Sequence, residues 1–230
     1  IFALADFTAG HSLGEYAALA AAGSISIANG ARLLRYRGDA MQNAVAVGEG
    51  AMAAILGAEE DIIDEILAEA SGSGVVQLAN DNAPGQMVIS GSLRAVDKAM
   101  DIARGKGLRK VIKLPVSAPF HCDLMAPASD AMAAALAEVG FADAVLPVFC
   151  NVTAAGEQQA DVLKSNLVTQ VIGRVRWRET LIALDAANAG VFVEIGTGRV
   201  LSGLVRRTLR DKTIVNFDGP DDLDAILELF

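Results

Sequence analysis

A short serine motif flanked by glycines, Gly10-His11-Ser12-Leu13-Gly14, is the feature that most constrains how this chain folds. The pattern G-x-S-x-G is typical of a nucleophile elbow, in which a strand turns sharply into a helix and presents the serine hydroxyl to a ligand. Residues 6–9 can end such a strand, and residues 15–22 favour a helix. The two glycines are expected to leave room for the neighbouring backbone. The alternative is an ordinary glycine-rich connection between a strand and a helix.

The composition indicates a globular chain with a substantial core. Its 230 residues are 53% hydrophobic and 20% charged, which suits one large domain or two small ones. The net charge of -9 argues against a general nucleic-acid or anionic-membrane binder, because phosphate contacts need a basic surface. No apolar run approaches the length of a membrane span. Two cysteines, Cys122 and Cys150, without the spacing of metal ligands, favour a reducing cytoplasmic setting and no metal site.

Positive charge is nevertheless concentrated in two stretches, 104–113 and 174–212. Runs of this kind usually form solvated faces, but they can also dock an acidic partner. The first stretch contains Arg104, Lys106, Arg109, Lys110 and Lys113, and the second contains Arg174, Arg176, Arg178, Arg199, Arg206, Arg207, Arg210 and Lys212.

The order of apolar segments predicts an α/β protein with one subdomain inserted into another. Residues 49–116 read as βαββαβ, and the turn at 82–85 makes the middle strands a hairpin, so we expect a ferredoxin-like subdomain there. Residues 1–48 and 117–230 alternate strands and helices, with 191–195 as a buried strand. Continuous apolar strands imply a parallel sheet covered on both faces, as in an α/β-hydrolase-like core.

Two histidines are the candidate bases for Ser12. A serine hydroxyl is a poor nucleophile at neutral pH unless a base takes its proton, and histidine suits this role because its reference pKa is about 6.5. His11 adjoins Ser12, where successive side chains diverge, so we expect it to pack or to support the site. His121 lies in a loop that Pro115 and Pro119 hold stiff, which favours it as the base.

The group that would orient His121 is left open by the residues themselves. No acid between Ser12 and His121 falls at an obvious strand end of the larger subdomain. A dyad whose histidine is oriented by a carbonyl or amide is therefore as plausible as a triad. Cys122 is discounted as a nucleophile, because sequence neighbours seldom face each other. An arginine near the serine could hold a carboxylate through two parallel bonds, and this chemistry does not choose among three candidates. They are Arg32, Arg35 and Arg37.

Five motifs follow one another along the chain: Gly10 to Glu15, Arg37-Gly38-Asp39-Ala40-Met41-Gln42, Asn82 to Gly91, Ser117 to His121, and Glu194-Ile195-Gly196-Thr197-Gly198. In order and spacing they resemble the malonyl-CoA:acyl carrier protein transacylases of bacterial fatty-acid synthesis. The resemblance implies a ping-pong transfer, in which the serine matching Ser12 accepts malonyl from malonyl-CoA and the histidine matching His121 is the general base and acid. The phosphopantetheine thiol of acyl carrier protein then takes the malonyl group. No cofactor is implied beyond these substrates.

The resemblance also implies roles for single residues. Arg37 would bind the free malonyl carboxylate, and the main-chain carbonyl of Gln170 would orient His121. The backbone N–H of Leu13 would be one oxyanion donor.

Three further residues complete the predicted substrate-binding set. Phe120 is expected to crowd the α-carbon of the acyl group, which favours malonyl over methylmalonyl. His11 and Asn82 lie in two of the matching motifs and are assigned to the same set. The two basic stretches would steer acyl carrier protein, which is acidic in this family.

The chain departs from the family in one respect. Family members begin with a strand and a G-Q-G-S-Q motif that supplies a second oxyanion N–H, and this sequence has no such segment. We therefore expect a fragment with weak transacylase activity, since loss of one donor typically lowers turnover about 10²- to 10³-fold. A polyketide synthase acyltransferase module, a serine esterase and a non-catalytic fragment that binds acyl carrier protein are the alternatives.

Overall fold

The serine motif joins a strand to a helix, as its sequence predicts, in a computed structural model that describes residues 4–227. The larger subdomain consists of β1 (Thr8–Ala9), α1 (Gly14–Ala21), α2 (Ile27–Asn43), α5 (Ala126–Ala137), β6 (Val148–Phe149), β7 (Gly156–Glu157), α6 (Ala160–Gln170), α7 (Trp177–Ala186), β8 (Val191–Ile195), α8 (Val200–Thr208), β9 (Thr213–Phe217) and α9 (Leu223–Leu227). Helix α2 begins where Ser26 accepts a hydrogen bond from the backbone of Asn29, a normal N-cap. Among the described residues, no helix is long and apolar enough to cross a membrane.

The segment between the two parts of the larger subdomain has the predicted βαββαβ order. Its elements are β2 (Gly50–Leu56), α3 (Glu60–Ala70), β3 (Val76–Ala83), β4 (Gln86–Ser92), α4 (Leu93–Gly105) and β5 (Lys110–Lys113). The strands form an antiparallel sheet in the order β3-β4-β2-β5, which is the ferredoxin-like arrangement. Ile63 and Ile66 of α3 and Val96 of α4 are fully buried in one core with this sheet. The predicted α/β class is confirmed, and the boundaries at 49 and 116 stay a prediction.

The larger subdomain has parallel pairs of strands, as predicted, but they are short and lie in two sheets. Strand β1 pairs in parallel with β6, β6 pairs antiparallel with β7, and β8 and β9 form a separate parallel pair. The expectation that 191–195 is a buried strand is wrong: Val191 and Ile195 are 45% and 50% exposed. Phe192, on the other face of β8, packs on a core cluster. The apolar run predicts which residues favour burial, but it does not tell which face a neighbouring element covers.

A cluster of charges joins the inserted subdomain to the larger one. Asp81 on β3 is fully buried and accepts hydrogen bonds from Arg174 at 2.9 Å and from Arg178 at 2.8 Å. Both arginines also reach Glu60 on α3, at 2.6 Å and 2.9 Å. The backbone N–H of Asp81 donates to the carbonyl of Val175 at 2.9 Å. This junction fixes β3 against the segment that leads into α7.

The same cluster corrects, for part of the two positive stretches, the interpretation as solvated basic faces. Arg174 and Arg178 are each paired with two carboxylates at the junction, and Arg176 pairs with Glu179. In the first stretch Lys106 binds two glutamates of α3, and Lys113 binds an aspartate of α4. The first stretch contains no acid of its own, and the acids that pair with Arg174 lie 114 and 93 positions away along the chain, so the sequence does not show these pairings.

Candidate active site

The elbow holds Ser12 in a backbone conformation that side chains rarely adopt. Ser12 has φ 51, in the left-handed region, between β1 and α1. A Cβ atom at Gly10 would lie 1.9 Å from the carbonyl oxygen of Gly14, so only glycine fits at position 10. A Cβ at Gly14 would meet nothing within 4 Å. The expectation that both glycines make room for backbone therefore holds for Gly10 and is wrong for Gly14.

His121 is the histidine that the structure places beside the serine. Its Nε2 lies 2.7 Å from Ser12 Oγ, and its Nδ1 lies 2.9 Å from the carbonyl oxygen of Gln170 and 3.1 Å from that of Gly173. Carbonyl oxygens only accept, so the proton of the neutral ring is on Nδ1 and Nε2 is free to accept from the serine. His121 has φ 59, and a Cβ at Gly50 would collide with Pro119 of its loop.

The surroundings of His121 keep its ring neutral. Burial and, after it, the nearby positive charge of Arg37 lower its pKa to about 3, although the two carbonyl acceptors act in the opposite direction. An imidazole in this position is therefore an acceptor at every pH near neutrality. This is the protonation state that a general base requires before it takes a proton.

Of the three candidate arginines, only Arg37 reaches the serine. Its Nη2 donates to Ser12 Oγ at 3.2 Å and to the side-chain Oε1 of Gln170 at 3.0 Å. Arg32 and Arg35 bond instead to Asn29 and Asp39 on the exposed side of α2. Arg37 is only 7% exposed, and its Nε has no hydrogen-bond partner among the described residues.

Within residues 4–227, no carboxylate lies within 4.0 Å of the Arg37 guanidinium. Its strongest neighbours of opposite sign act at longer range, and burial lowers the pKa of Arg37 from its usual value. A buried guanidinium that lacks an anion beside it has donors left for one.

Gln170, at the end of α6, contributes its side chain as well as its carbonyl. Its Nε2 donates to the carbonyl oxygen of Ser12 at 3.0 Å and to Oε2 of Glu15 at 2.8 Å. Its Oε1 accepts from Arg37. The amide orientation follows from these partners, since two acceptors face its nitrogen and one donor faces its oxygen. The sequence indicated the carbonyl alone.

Two residues of the site were missed by the sequence reasoning, Glu15 as a buried acid and Asn151. Glu15 is 1% exposed, and burial raises its pKa to about 7 although the amide of Gln170 and the backbone N–H of Asn151 bond to it. Asn151 follows β6 and touches the elbow through both ends of its amide. Its one available signal is its position after a strand, since strands that pair in parallel end at the same sheet edge.

The remaining predicted residues lie around this centre. His11 Nε2 is 2.7 Å from Asn82 Oδ1 of β3, and its ring makes an edge contact with Trp177. Burial lowers the pKa of His11. Leu13 is 60% exposed, and its N–H makes no hydrogen bond within the described part of the chain. Phe120 packs where the core of the larger subdomain meets residues of β2, β3 and β4.

Among residues 4–227, no group of three or more histidine, cysteine or acidic side chains is placed to hold a metal ion. The groups that meet at the site are the Ser12 hydroxyl, in its strained backbone conformation, and the neutral imidazole and buried guanidinium that both contact its oxygen.

Comparison with known proteins gives consistent matches over nearly the whole chain. Residues 4–219 match the family described as acyl transferase domain. The chain is 41% identical over 224 residues to the malonyl CoA-acyl carrier protein transacylase of Bacillus subtilis strain 168, a match that covers 97% of this chain and 71% of that protein.

Solved structures agree with the sequence matches. An acyl-carrier-protein-S-malonyltransferase from Bartonella henselae superposes with a TM-score of 0.96 at 46% identity, covering 99% of this chain and 73% of that one. A malonyl-transacylase solved in complex with a type II polyketide synthase acyl-carrier protein superposes with a TM-score of 0.95 at 39% identity, covering 98% and 73%. These superpositions confirm the predicted fold class.

Proposed function

The chain belongs to the acyl transferase domain family, and from this membership we propose that it transfers a malonyl group from malonyl-CoA to the phosphopantetheine thiol of acyl carrier protein. The resemblance stated from the sequence is thereby confirmed at the level of the family. The relatives at about 40% identity carry the malonyl transacylase name, and one neighbour was solved with its carrier protein.

One observation carries the proposal: Ser12 Oγ is bonded to His121 Nε2 at 2.7 Å while the Arg37 guanidinium lies 3.2 Å from the same oxygen. A serine esterase needs the first contact but has no use for a buried cation beside the nucleophile. An acyl group that ends in a carboxylate gives that cation a partner.

The transfer proceeds in two half-reactions through an ester on Ser12. Ser12 Oγ attacks the thioester carbonyl as its proton moves to His121 Nε2, and the coenzyme A sulfur leaves and takes that proton. The phosphopantetheine thiol then gives its proton to His121 and attacks the ester carbonyl, and His121 returns the proton to Ser12. The N–H of Leu13 donates to the carbonyl oxygen as it becomes negative.

Arg37 holds the malonyl carboxylate in both half-reactions. Its Nε without a partner and its Nη2 near Ser12 give it donors toward an acyl group on that serine. A guanidinium binds a carboxylate through two parallel bonds, which orient the acyl chain as well as hold it. Phe120, His11 and Asn82 line the rest of the acyl and pantetheine site in this proposal.

No cofactor enters the proposal beyond the two thioester carriers, because the acyl group passes between carriers of similar energy through a serine ester. A cytoplasmic location belongs to the same proposal. It is supported by two free, buried cysteines, Cys122 and Cys150.

Intact mass measurement after incubation with malonyl-CoA tests the function. We expect a malonyl adduct on the unsubstituted chain that Ser12→Ala abolishes and that acyl carrier protein with its phosphopantetheine removes. Ser165→Ala, at an exposed serine of α6, is the matched control and should keep the adduct. Equal adducts from acetyl-CoA and malonyl-CoA would contradict the role of Arg37. Absence of any adduct would contradict the transfer itself.

A further inference from the structure

The left-handed conformation of Ser12 has to be held by its surroundings. A residue other than glycine in a sparsely populated region costs on the order of 1–3 kcal/mol and persists only where several contacts fix it. The steric fit of Gly10 explains why the turn is tight, but it does not hold the peptide of Ser12 itself. The contacts that do so come from distant parts of the chain.

Asn151, which follows β6, makes hydrogen bonds to two backbone groups of the elbow. Its Oδ1 accepts from the backbone N–H of Ser12 at 2.6 Å, and its Nδ2 donates to the carbonyl oxygen of Gly10 at 2.7 Å. The residue is fully buried and follows Phe149, which is paired with Ala9 in the parallel ladder. One amide group therefore binds both sides of His11 and sets the turn between Gly10 and Ser12.

Gln170 bonds to the next peptide unit, on the other side of the Ser12 Cα atom. Its Nε2 donates to the carbonyl oxygen of Ser12 at 3.0 Å, so both polar groups of the Ser12 backbone are bonded to side chains more than 100 positions away. Oε2 of Glu15 connects the two residues, since it accepts from the N–H of Asn151 at 3.0 Å and from Gln170 Nε2 at 2.8 Å.

These contacts form a closed ring: Ser12 N–H to Asn151, Asn151 N–H to Glu15, and Glu15 to Gln170, whose amide returns to the Ser12 carbonyl. We infer that Asn151 and Glu15 are positioning residues, which hold the nucleophile in its strained conformation and aim Oγ at His121. The inference rests on the proposed role of Ser12 as the nucleophile. Neither residue touches the reacting atoms in this arrangement.

The ring has a second consequence for the arginine. Because the carboxyl oxygen of Glu15 accepts, the amide of Gln170 must turn its nitrogen toward Glu15 and its oxygen toward Arg37. Glu15 therefore sets the orientation of the group on which the guanidinium rests. Loss of this acceptor leaves the Ser12 carbonyl as the one acceptor that faces the Gln170 nitrogen among the described residues.

The first test measures how fast the backbone N–H groups of the unsubstituted chain exchange with solvent, by nuclear magnetic resonance. The Ser12 N–H, bonded to Asn151, should exchange at least about tenfold more slowly than the neighbouring Leu13 N–H, which has no partner in the described chain. Equal exchange of the two would overturn the inference without any variant being made.

The second test measures labelling of Ser12 by a fluorophosphonate, which reports serine reactivity without malonyl-CoA or carrier protein. Asn151→Ala should lower the labelling rate about 10²-fold, the effect of misplacing a reacting atom by roughly 1 Å. It should also abolish the slow exchange of the Ser12 N–H. Asn43→Ala, the same change at an exposed residue of α2, is the matched control and should alter neither property.

Glu15 variants keep the test sharp if Asn151→Ala does not fold. Glu15→Gln retains an oxygen that can accept both bonds, so it should restore most of the labelling rate that Glu15→Ala loses. Equal rates for these two variants would overturn the role of Glu15. A normal labelling rate in Asn151→Ala would overturn the positioning role of Asn151 alone. Failure of the unsubstituted chain to label would overturn Ser12 as the nucleophile.

Discussion

Two arginines at the junction of the subdomains and one arginine beside Ser12 are arranged in opposite ways in this molecule. Arg174 and Arg178, at the junction of the subdomains, share the buried carboxylate of Asp81 and the half-exposed carboxylate of Glu60. Arg37, beside Ser12, has a glutamine and a serine as its hydrogen-bond partners, and no carboxylate of the described residues lies within 4.0 Å of its guanidinium. The first set is neutralised within the chain, and the second is not.

The difference separates structural charge from functional charge. An arginine paired with carboxylates has its charge compensated within the chain, and its removal leaves a buried acid without compensation. An arginine held by neutral groups keeps its charge available, at the cost of burying it without an anion. Charge alone would have placed all three arginines in one class, while their partners assign the first two to the fold and the third to the site.

The largest effect is expected when the two arginines of the junction are removed. The double variant Arg174→Met and Arg178→Met leaves Asp81, which is fully buried, without either cation. We expect the free energy of unfolding to fall by about 3–5 kcal/mol. Urea denaturation of the double variant against the unsubstituted chain measures this.

The triple variant that adds Asp81→Leu is the control for that experiment. Removing the stranded acid should recover part of the lost stability, because an apolar side chain needs no counter-ion. No recovery would mean that the arginines stabilise the junction through packing and not through Asp81.

A smaller effect is expected at the site, and it falls on the rate of acylation and not on the free energy of unfolding. Arg37→Met should slow acylation of Ser12 by malonyl-CoA by about 10- to 150-fold, equivalent to the roughly 1.5–3 kcal/mol of a charge-assisted bond. Acylation by acetyl-CoA should change little, and the free energy of unfolding should not fall, because no buried carboxylate loses its partner. Rates with the two thioesters and a urea midpoint check these outcomes together. A stability loss as large as that of the junction variant would erase the distinction between the two sets.

The charge of Arg37 also predicts an unusual pH profile. Burial and this charge lower the pKa of His121 to about 3, so the base stays neutral as the pH falls from 7 to 5.5. Labelling of Ser12 by a fluorophosphonate should therefore stay nearly constant over this range. A base with the ordinary pKa of about 6.5 would lose about tenfold. Between pH 6.5 and 3 the unfolded chain binds a proton that folded His121 does not, so stability falls as the pH falls.

Two variants test which groups set the pH profile of Ser12 labelling. Arg37→Met removes one cause of the low pKa of His121, so its profile should begin to fall at a higher pH. Glu15→Gln removes the carboxyl whose pKa burial raises to about 7, and it controls for titration of that group. A profile of the unsubstituted chain that falls tenfold by pH 5.5 would contradict the neutral base.

The smallest effect is expected at an arginine on the surface. Arg35 pairs with Asp39 one turn later on α2, and the two side chains are 83% and 60% exposed. A double-mutant cycle with Arg35→Ala and Asp39→Ala should give a coupling of about 0.3–0.5 kcal/mol that vanishes in high salt. A coupling of several kcal/mol would mean that exposure to solvent does not weaken the ion pairs of this protein.

The sequence predicted the fold and the central pair of the site well, because both have local signatures. The elbow motif and the hydrophobic periods predicted the element order. The ordered motifs contain Ser12, His121 and Arg37, and the family resemblance that they carry implied Gln170; the structure brings these four residues together. Their roles stay proposals. The βαββαβ segment was readable because its helices and its hairpin turn are each encoded within a few residues.

The parts that the sequence did not predict depend on contacts between distant segments. Asn151 is an ordinary residue after a two-residue strand, and only the parallel register of β1 and β6 brings it to the elbow. Glu15 looks like a favourable acid at a helix start, although it is buried among polar partners. Arg174 and Arg178 looked like surface charge because their acids lie in another subdomain.

The orientation of His121 by main-chain carbonyls also affects how mutations act on this site. Replacing the side chain of Gln170 leaves its carbonyl in place, and the carbonyl of Gly173 has no side chain to replace. A single substitution therefore does not directly remove the carbonyl oxygens that hold the ring. Alanine substitutions at residues other than glycine would overlook them and assign the base no orienting group. Gly173→Ala is the exception, because its Cβ atom would lie 2.9 Å from the carbonyl oxygen of Thr169 and the backbone would have to move.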